Sequence, residues 1–435
     1  MLAVNGGTPV LGPGDIAPWP HITDDDRAAV LAVMDRASPW RWPFEPIQEF
    51  EAAWAQAIGL PHTIAVNSGT AALHMAVVAA GVEPGDEVIV PADTFLATAS
   101  CVLQANAIPV FADTLPDTFT IDPAAAERCV TRRTRAIIAV DLNGLPADYD
   151  ELAAVARRHN LALIEDAAQS HGATYHDRPA GALADMSGAS LNGSKALSAL
   201  GEGGLFATAN EDQYLVARKV MMFGEEIAGR TRDYNARIMG WNYRIDLLAA
   251  AFAHSQLGRL PQMTRVRQHN GAALTKALAG IPGLSTPVVP ADRTHVYFFY
   301  PLLVRPEEFD LDVPVAAFRD AVVAAAVAEG LPISRWQHHP VPAQPLFQDG
   351  RGYGRGCPWT CGHAAPARRA YHPGDFPVAE ETCQRRLVLG QSLSPFGPPN
   401  DLSTMERYAE VLHKILVTER DEFVRLAREI GTGGA

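Results

Sequence analysis

The sequence predicts an α/β protein with a large domain built on a mostly parallel, seven-stranded sheet flanked by helices, followed by a smaller C-terminal α/β domain. Seven short apolar runs have the length of strands, and they are HTIAV, DEVIVP, IPVFAD, AIIAVDL, LALIEDAA, DMSGASL and GGLFATA. Helix-like segments separate the first five, which is typical of βαβ units in a sheet covered on both faces. The regular alternation ends after roughly Leu260, so we expect the large domain in residues 1–260 and the small domain in residues 261–435.

Local signals predict several helices. Thr23 precedes three aspartates at residues 24–26, the pattern of an N-cap followed by an acidic first turn. The segment PIQEFEAAWAQAIG carries apolar residues at helical spacing, and these are Ile47, Phe50, Trp54 and Ile58. Further helical patterns cover about residues 314–329 and residues 402–430.

Composition and charge narrow the classes of function. The chain has 435 residues, of which 48% are hydrophobic and 20% are charged, so a sizeable core is available. Its formal net charge of −13 argues against a nucleic-acid partner, because a polyanion calls for a basic surface. We identify neither a signal peptide nor an apolar stretch long enough to cross a membrane, and we therefore expect a cytoplasmic protein.

The five cysteines are expected to be reduced, because their number is odd and no secretion signal is present. Cys357, Cys361 and His363 lie close together in CPWTCGH, which resembles part of a zinc site. No second Cys/His pair follows in a matching register, so we interpret the segment as a loop and expect no metal ion.

The junctions between strands and helices are the places to look for chemistry, because ligands of open α/β sheets bind beyond the carboxyl ends of the strands. In AVNSGTAAL, Ser68, Gly69 and Thr70 open a helix. Small residues let the backbone approach a ligand, and the free N–H groups at a helix start attract anions. This pattern suits a phosphate group, although a plain N-cap would look the same.

The second junction is LALIEDAAQSHGA, in which an apolar run ends in Glu165 and Asp166. A carboxylate at the end of a buried strand is costly unless a cation accompanies it. Asp166 is therefore a candidate for a contact with a cationic ligand, and a helix-capping aspartate is the alternative.

The third segment, LNGSKALSALGEGG, places Lys195 in a turn rich in glycine and serine, in a chain with only four lysines. A lysine there is a candidate nucleophile, whereas a solvated surface lysine is the ordinary alternative. One cofactor, pyridoxal 5′-phosphate (PLP), fits these three features in their order along one α/β domain: the candidate phosphate site at residues 68–70, then Asp166, then Lys195. Lys195 supplies the amine for a Schiff base, and Asp166 favours a protonated pyridine nitrogen.

The chain resembles the sugar aminotransferases of the DegT/StrS family. The resemblance runs from about Ile16 to Ile415 and rests on the motifs NSGTAAL, PGDEVIVPADTFLATA, PVFAD, EDAAQSHGA, SLNGSK, GEGG and GWNYRIDLLAAA. It implies the aspartate-aminotransferase-like fold, which is type I among PLP-dependent enzymes. Some relatives carry a histidine in place of Lys195 and dehydrate their substrates, so the lysine favours amino transfer.

The resemblance also implies roles for individual residues. Lys195 would be the Schiff-base lysine and catalytic acid/base, and Asp166 the partner of the ring nitrogen. The other cofactor contacts would be Gly69, Thr70 and Ser190 at the phosphate, Gln169 near the ring hydroxyl, Phe95 and Ala168 on the two ring faces, and Asn242 from the neighbouring subunit. The family thereby implies a homodimer with composite active sites.

Departures from the family pattern concern the substrate. Asp141 and Asn143 replace a histidine and a tyrosine, and Leu191 replaces a phenylalanine, at positions that lie near the substrate in relatives. We predict substrate contacts in two segments: Trp336, His338 and His339 in RWQHHPVPAQPLF, and Trp40 near the N-terminus. For Trp336 and the two histidines, packing within the small domain is the alternative.

These observations lead to a hypothesis with several alternatives. The protein would move the amino group of L-glutamate or L-glutamine to a keto-cyclitol or ketosugar, in antibiotic or other secondary metabolism. A nucleotide-linked ketosugar is an alternative acceptor. A PLP-dependent dehydratase, lyase or carbon–nitrogen-bond-forming enzyme is a second hypothesis. A catalytically silent regulator is a third, and the intact Lys195 and Asp166 argue against it.

Overall fold

The computed structural model describes residues 1–36, 45–228, 231–362, 371–390 and 395–433. Its helices are, in chain order, α1 (Asp24–Met34), α2 (Glu45–Ile58), α3 (Gly69–Ala79), α4 (Ala97–Gln104), α5 (Pro123–Arg128), α6 (Tyr149–His159), α7 (Glu211–Met221), α8 (Leu247–Leu278), α9 (Val315–Ala328), α10 (Pro345–Asp349), α11 (Pro377–Arg385), α12 (Leu402–His413) and α13 (Arg420–Gly431). Its strands are β1 (His62–Val66), β2 (Glu87–Pro91), β3 (Ile108–Ala112), β4 (Thr134–Val140), β5 (Ala162–Asp166), β6 (Thr174–Tyr175), β7 (Arg178–Pro179), β8 (Met186–Ser190), β9 (Gly204–Thr208), β10 (Glu225–Ala228), β11 (Thr231–Ala236), β12 (Leu284–Ser285), β13 (Tyr300–Val304), β14 (Ile333–Ser334) and β15 (Arg386–Leu389).

The seven strands predicted from the sequence form one sheet, in the order β1-β9-β8-β5-β4-β2-β3. Strand β9 is antiparallel to both β1 and β8, and the other neighbouring pairs are parallel. Every residue of β2, β3 and β9 is buried, as expected where helices cover both faces of a sheet. The predicted mostly parallel sheet is therefore confirmed, and β1, β2, β4, β5 and β8 all end at the same edge.

A second sheet is antiparallel and four-stranded, in the order β12-β13-β15-β14. Helices α9, α12 and α13 pack on it around a core that includes Phe318 and Tyr408, and Leu2 and Leu11 from the N-terminal segment enter the same core. The long helix α8 continues across residue 260, where we expected the domain boundary. The division of the chain at that residue stays a prediction.

The predicted cap of the first helix is confirmed. Thr23 Oγ1 accepts a hydrogen bond from the Asp26 N–H, and the Asp26 carboxylate accepts one from the Thr23 N–H, which completes a capping box. The same carboxylate accepts hydrogen bonds from Ser255 and Arg259 on α8. Asp26 therefore helps to cap the start of α1 and also joins α1 to the long helix α8.

The expectation that all cysteines are reduced is wrong for two of them, because Cys357 and Cys361 form a disulfide. The turn between them brings their Cα atoms to 5.4 Å, inside the range that a disulfide requires, and such proximity depends on the local path of the chain. His363 lies outside the described residues. In the described part of the chain, no three His, Cys, Asp or Glu side chains form a metal-ligand group, and no helix is long and apolar enough to span a membrane.

Two glycines of α8 provide a matched test of the packing. A Cβ on Gly271 would lie 2.4 Å from the ring of buried Tyr297, whereas a Cβ on Gly258 would meet no atom within 4 Å. Gly258→Ala should raise the free energy of unfolding by about 0.5–1 kcal/mol, because alanine is the better helix former. Gly271→Ala should lower it by about 1–3 kcal/mol, because the tyrosine ring must move. Urea unfolding followed by circular dichroism measures both, and a Gly271→Ala variant as stable as the parent would contradict the packing.

Candidate active site

A cavity of about 450 Å³ lies at the edge where the parallel strands end. Its volume lies within the range of small-molecule sites, and its position is the one that open α/β sheets use for ligands. Nine of the predicted site residues line it, and they are Gly69, Thr70, Phe95, Asp166, Ala168, Gln169, Ser190, Lys195 and Trp336. The fold thus brings together residues from distant segments of the chain.

The N-terminus of α3 forms one end of the cavity and lets the backbone approach a ligand closely. Ser68 is the N-cap, and its hydroxyl accepts a hydrogen bond from the first turn. A Cβ on Gly69 would lie 2.8 Å from the Ser190 Cβ, and a Cβ on Gly204 would lie 2.3 Å from the Ser68 carbonyl oxygen, so both positions require glycine. The unpaired N–H groups of this turn and the hydroxyls of Thr70 and Ser190 fit a phosphate group.

Asp166 ends β5 and carries a carboxylate into the cavity. Its Oδ2 accepts a hydrogen bond from Thr98 Oγ1 at 2.7 Å, and its Oδ1 accepts one from the Ala168 N–H at 3.2 Å. Burial raises the pKa of Asp166, and these two hydrogen bonds and the Lys195 ammonium oppose that rise. A cation beside the buried carboxylate stabilises its ionised form, and a protonated pyridine nitrogen fits that requirement.

Two threonines that the sequence analysis did not single out support Asp166. Thr94 Oγ1 lies 2.9 Å from Thr98 Oγ1, so the hydroxyls form a short chain that ends at the Asp166 carboxylate. Both threonines are fully buried as residues, and Thr94 also lines the cavity. Their four-residue spacing in TFLATA, three residues after the end of β2, is the signal that could have identified them.

Lys195 lies in the turn between β8 and β9, and hydrogen bonds hold this turn in place. The Trp19 Nε1–H donates to the Lys195 carbonyl oxygen at 3.1 Å, and Asn192 Nδ2 donates to Glu202 Oε1 at 2.7 Å. The side chain of Lys195 is half-buried by surface area. The protein atoms packed around its amine lower the pKa to about 8, and the carboxylates of Asp166 and Glu202 oppose this shift. Lys195 is therefore not an ordinary solvated surface lysine.

The three positions that depart from the family pattern lie beside the cavity and do not line it. Asp141 accepts a hydrogen bond from Ser170 Oγ at 2.7 Å, and burial raises its pKa to about 6. Leu191 is fully buried in the core. The Asn143 N–H donates to Gln169 Oε1 at 2.7 Å. Leu191 therefore supports the site by packing, and Asn143 orients Gln169. None of the three residues faces the inside of the cavity.

The other predicted residues lie in different places. His338 and His339 line a second cavity of about 380 Å³, separate from the one that holds Lys195. Trp40 lies outside the described residues. Asn242 does not line the cavity of its own chain, and its Oδ1 accepts a hydrogen bond from Arg244 Nε at 2.9 Å.

Sequence reasoning missed several residues of the cavity wall, namely Thr94, Asn192, Ser194, Phe298 and Phe299. The amine of Lys195 lies 4.3 Å from the centroid of the Phe298 ring, within the range of a cation–π contact. In the run HVYFFYPLLV, strand β13 begins at Tyr300, and the two phenylalanines precede it. Aromatic residues at the start of a strand give no local sign that they reach a distant lysine.

Comparison with known proteins identifies relatives over most of the chain. The family model described as the DegT/DnrJ/EryC1/StrS aminotransferase family matches residues 20–360. GDP-perosamine synthase of Caulobacter vibrioides is 37% identical over 332 residues, which cover 75% of this chain and 85% of that protein. L-glutamine:2-deoxy-scyllo-inosose aminotransferase of Streptomyces paromomycinus is 34% identical over 404 residues, which cover 89% of this chain and 92% of that protein.

Solved structures resemble the whole fold. The crystal structure of NtdA from Bacillus subtilis with bound cofactor PMP has a TM-score of 0.73 and 26% identity to this chain, and the match covers 93% of this chain and 83% of NtdA. The fold type inferred from the motifs is thereby confirmed. Because the family model spans most of the sequence and the cavity contains the lysine and aspartate of its motifs, the chain belongs to the DegT/DnrJ/EryC1/StrS aminotransferase family.

Proposed function

We propose that this aminotransferase uses PLP to move an amino group from L-glutamate or L-glutamine to a keto-cyclitol or ketosugar. The observation that carries the proposal is the presence of three groups in one cavity: the amine of Lys195, the carboxylate of Asp166 and the glycine-lined N-terminus of α3. These groups match the aldehyde, the ring nitrogen and the phosphate of PLP, respectively.

The cavity residues fit each part of the cofactor. When bound, PLP supplies an electron-accepting ring that stabilises negative charge at the substrate carbon. Asp166 would attract the protonated ring nitrogen, and the hydroxyls of Thr70 and Ser190 would bind the phosphate together with the α3 N–H groups. Phe95 is 60% exposed and lines the cavity, so its ring offers a face for stacking. Ala168 is small enough to lie against the other face.

Lys195 has the position and the pKa of an acid/base catalyst. An amine with a pKa of about 8 is partly neutral near neutral pH. Its Nζ can therefore accept the proton from the α-carbon of the amino donor. The ammonium that results would return this proton to the cofactor, and in the second half-reaction the same Nζ would carry a proton from the cofactor to the acceptor carbon that receives the amino group.

The acceptor is inferred from the cavity wall and from the relatives. Trp336 presents an aromatic surface beside polar residues, which suits a ring polyol. The Streptomyces paromomycinus relative is named for L-glutamine and 2-deoxy-scyllo-inosose, which supports a keto-cyclitol and favours glutamine as donor. The Caulobacter vibrioides relative is named GDP-perosamine synthase, which supports a nucleotide-linked ketosugar as the second candidate. A role in secondary metabolism and a cytoplasmic location stay predictions.

We also propose a homodimer in which Asn242 completes the phosphate site of the partner. Asn242 is exposed, and large apolar side chains on the same segment are exposed as well, with Tyr234 at 74% and Met239 at 73%. Exposed apolar side chains gathered on one segment are typical of a protein–protein contact. A second copy of the chain would cover them and bring Asn242 to the neighbouring cavity.

The cofactor and the type of reaction can be tested without knowing the acceptor. Protein loaded with PLP should be yellow, and L-glutamine or L-glutamate alone should convert the cofactor to pyridoxamine phosphate, as measured by absorbance and mass spectrometry. Borohydride added before the donor should attach the cofactor to Lys195 in the wild type and in Lys219→Ala, but not in Lys195→Ala. Attachment at another lysine would remove the assignment, and a cofactor unchanged by every donor would favour a dehydratase, a lyase or a regulator.

The low pKa of Lys195 predicts how cofactor uptake depends on pH. Burial holds the amine at a pKa of about 8, so its reactive neutral form dominates above that pH and is lost below it. The neutral fraction should rise from about one-tenth at pH 7 to about nine-tenths at pH 9. The rate of PLP incorporation into cofactor-free protein, measured by stopped-flow absorbance, should therefore reach half of its maximum near pH 8. A midpoint near 10.5 would show that the lysine is solvated.

Mixing two inactive variants tests the composite site. Lys195→Ala lacks the amine, and Asn242→Asp would place a carboxylate beside the partner's phosphate. A mixed dimer has one site with both changes and one site with neither, so random exchange of subunits should restore about one-quarter of wild-type activity. Mixing Lys195→Ala with Asp166→Ala is the control, because Lys195 and Asp166 come from the same subunit of each site. In that mixed dimer one site lacks Lys195 and the other lacks Asp166, so no activity should return. Recovery in both mixtures, or in neither, would contradict the role of Asn242.

A further inference from the structure

A buried ion pair joins the loop after β2 to strand β15 beside the cavity wall. Arg386 Nη1 lies 2.6 Å from Asp93 Oδ2, and Arg386 Nη2 lies 2.8 Å from Asp93 Oδ1, so the contact is bidentate. The two side chains are 1% and 0% exposed. The pair links the large sheet to the small sheet, because Asp93 follows β2 of one and Arg386 begins β15 of the other.

The guanidinium of Arg386 also supports the wall of the cavity. Its Cζ lies 4.9 Å from the centroid of the Trp336 ring and 5.3 Å from that of the Phe119 ring. A planar guanidinium stacks on aromatic rings as a lysine ammonium does not. Trp336 lines the cavity, and Phe299 contacts its ring at a centroid distance of 5.9 Å. The Trp336 indole therefore packs against the guanidinium of Arg386, and the two hydrogen bonds to Asp93 fix the position of that guanidinium.

A second contact joins the loop after β2 to the segment that carries Trp336. Gln337 Nε2 donates to the Thr94 carbonyl oxygen at 2.7 Å. Thr94 follows Asp93 and precedes Phe95, and both Thr94 and Phe95 line the cavity. The loop that carries Phe95 is thus connected to the segment that carries Trp336 directly, through Thr94 with Gln337, and indirectly, through Asp93 and the Arg386 guanidinium that lies against the indole. These contacts set the spacing between two aromatic walls of the cavity.

We infer that Asp93 and Arg386 are positioning residues for the amino acceptor: they hold Trp336 as a rigid, flat wall against which the C–H face of a ring polyol packs. The inference rests on the proposed function, and it adds two residues that do not line the cavity themselves. An amino-acid donor has no ring to stack on the indole. The ion pair should therefore affect the acceptor half of the reaction more than the donor half.

The cost of burying two charges supports a role beyond stability. Removing two ions from water carries a desolvation penalty, and apolar residues of similar volume often serve as well or better for stability alone. What apolar residues do not supply is the fixed plane of a bidentate guanidinium. An apolar replacement of Asp93 and Arg386 would therefore lose the fixed guanidinium plane against which Trp336 packs.

The experiment separates binding of a polyol from chemistry with the donor. Arg386→Lys keeps the charge but loses the planar stack, and Asp93→Leu/Arg386→Met removes both charges. Arg385→Lys is the matched control, because the neighbouring Arg385 makes ion pairs with the exposed carboxylates of Glu307 and Glu381. Calorimetric titration of the cofactor-loaded protein with myo-inositol measures polyol binding directly, and the single-turnover rate with L-glutamine measures the donor half of the reaction.

We expect Arg386→Lys and the double variant to weaken myo-inositol binding by about tenfold or more, and to change the donor rate by less than about twofold. The double variant should keep a melting temperature close to that of the wild type, which excludes unfolding as the cause, and Arg385→Lys should leave both measurements unchanged. Unchanged myo-inositol binding in Arg386→Lys, equal losses in both measurements, or no binding to the wild type would each overturn the inference. Failure of the proposed function is a different result, since it would appear as a wild-type cofactor that no donor changes.

Discussion

The candidate site depends on a carboxylate and an amine, those of Asp166 and Lys195, that are buried beside each other in one cavity. Burial raises the pKa of Asp166 and lowers that of Lys195, so each group is destabilised in its charged form and each stabilises the charge of the other. Two threonine hydroxyls and a backbone N–H hold the carboxylate at the end of β5. A cofactor with a cationic ring and a reactive aldehyde satisfies both groups at once, which is why this pair indicates PLP.

The topology of the sheet explains how these groups meet. Parallel strands end at a common edge, and this places the first turn of α3, the Asp166 carboxylate and the Ser190 hydroxyl near one another. Strand β9 is the exception, since it is antiparallel to β8. The chain between β8 and β9 therefore turns back at the same edge, and Lys195 stays there. Gly204 then begins β9 so close to Ser68 that no side chain fits between them.

The small sheet completes the site from the other side. Trp336 follows β14 and lines the same cavity as the residues that the parallel strands carry. The buried pair of Asp93 and Arg386 connects the two sheets behind that tryptophan. The part of the cavity proposed to bind the cofactor thus belongs to one sheet, and the wall proposed to select the acceptor is shared between both.

The sequence by itself determined the seven strands, the Thr23 cap, and the candidate residues Gly69, Asp166 and Lys195, because these depend on local periodicity and on short motifs at strand ends. Only the tertiary structure decided which residues support them. Thr98 beside Asp166, Phe298 beside the lysine amine, and Arg386 behind Trp336 are contacts between segments far apart in the chain. The disulfide between Cys357 and Cys361 and the placement of His338 and His339 in a separate cavity also depend on the path of the backbone in space. No local pattern encodes such contacts, because burial and packing arise only when the whole chain has folded.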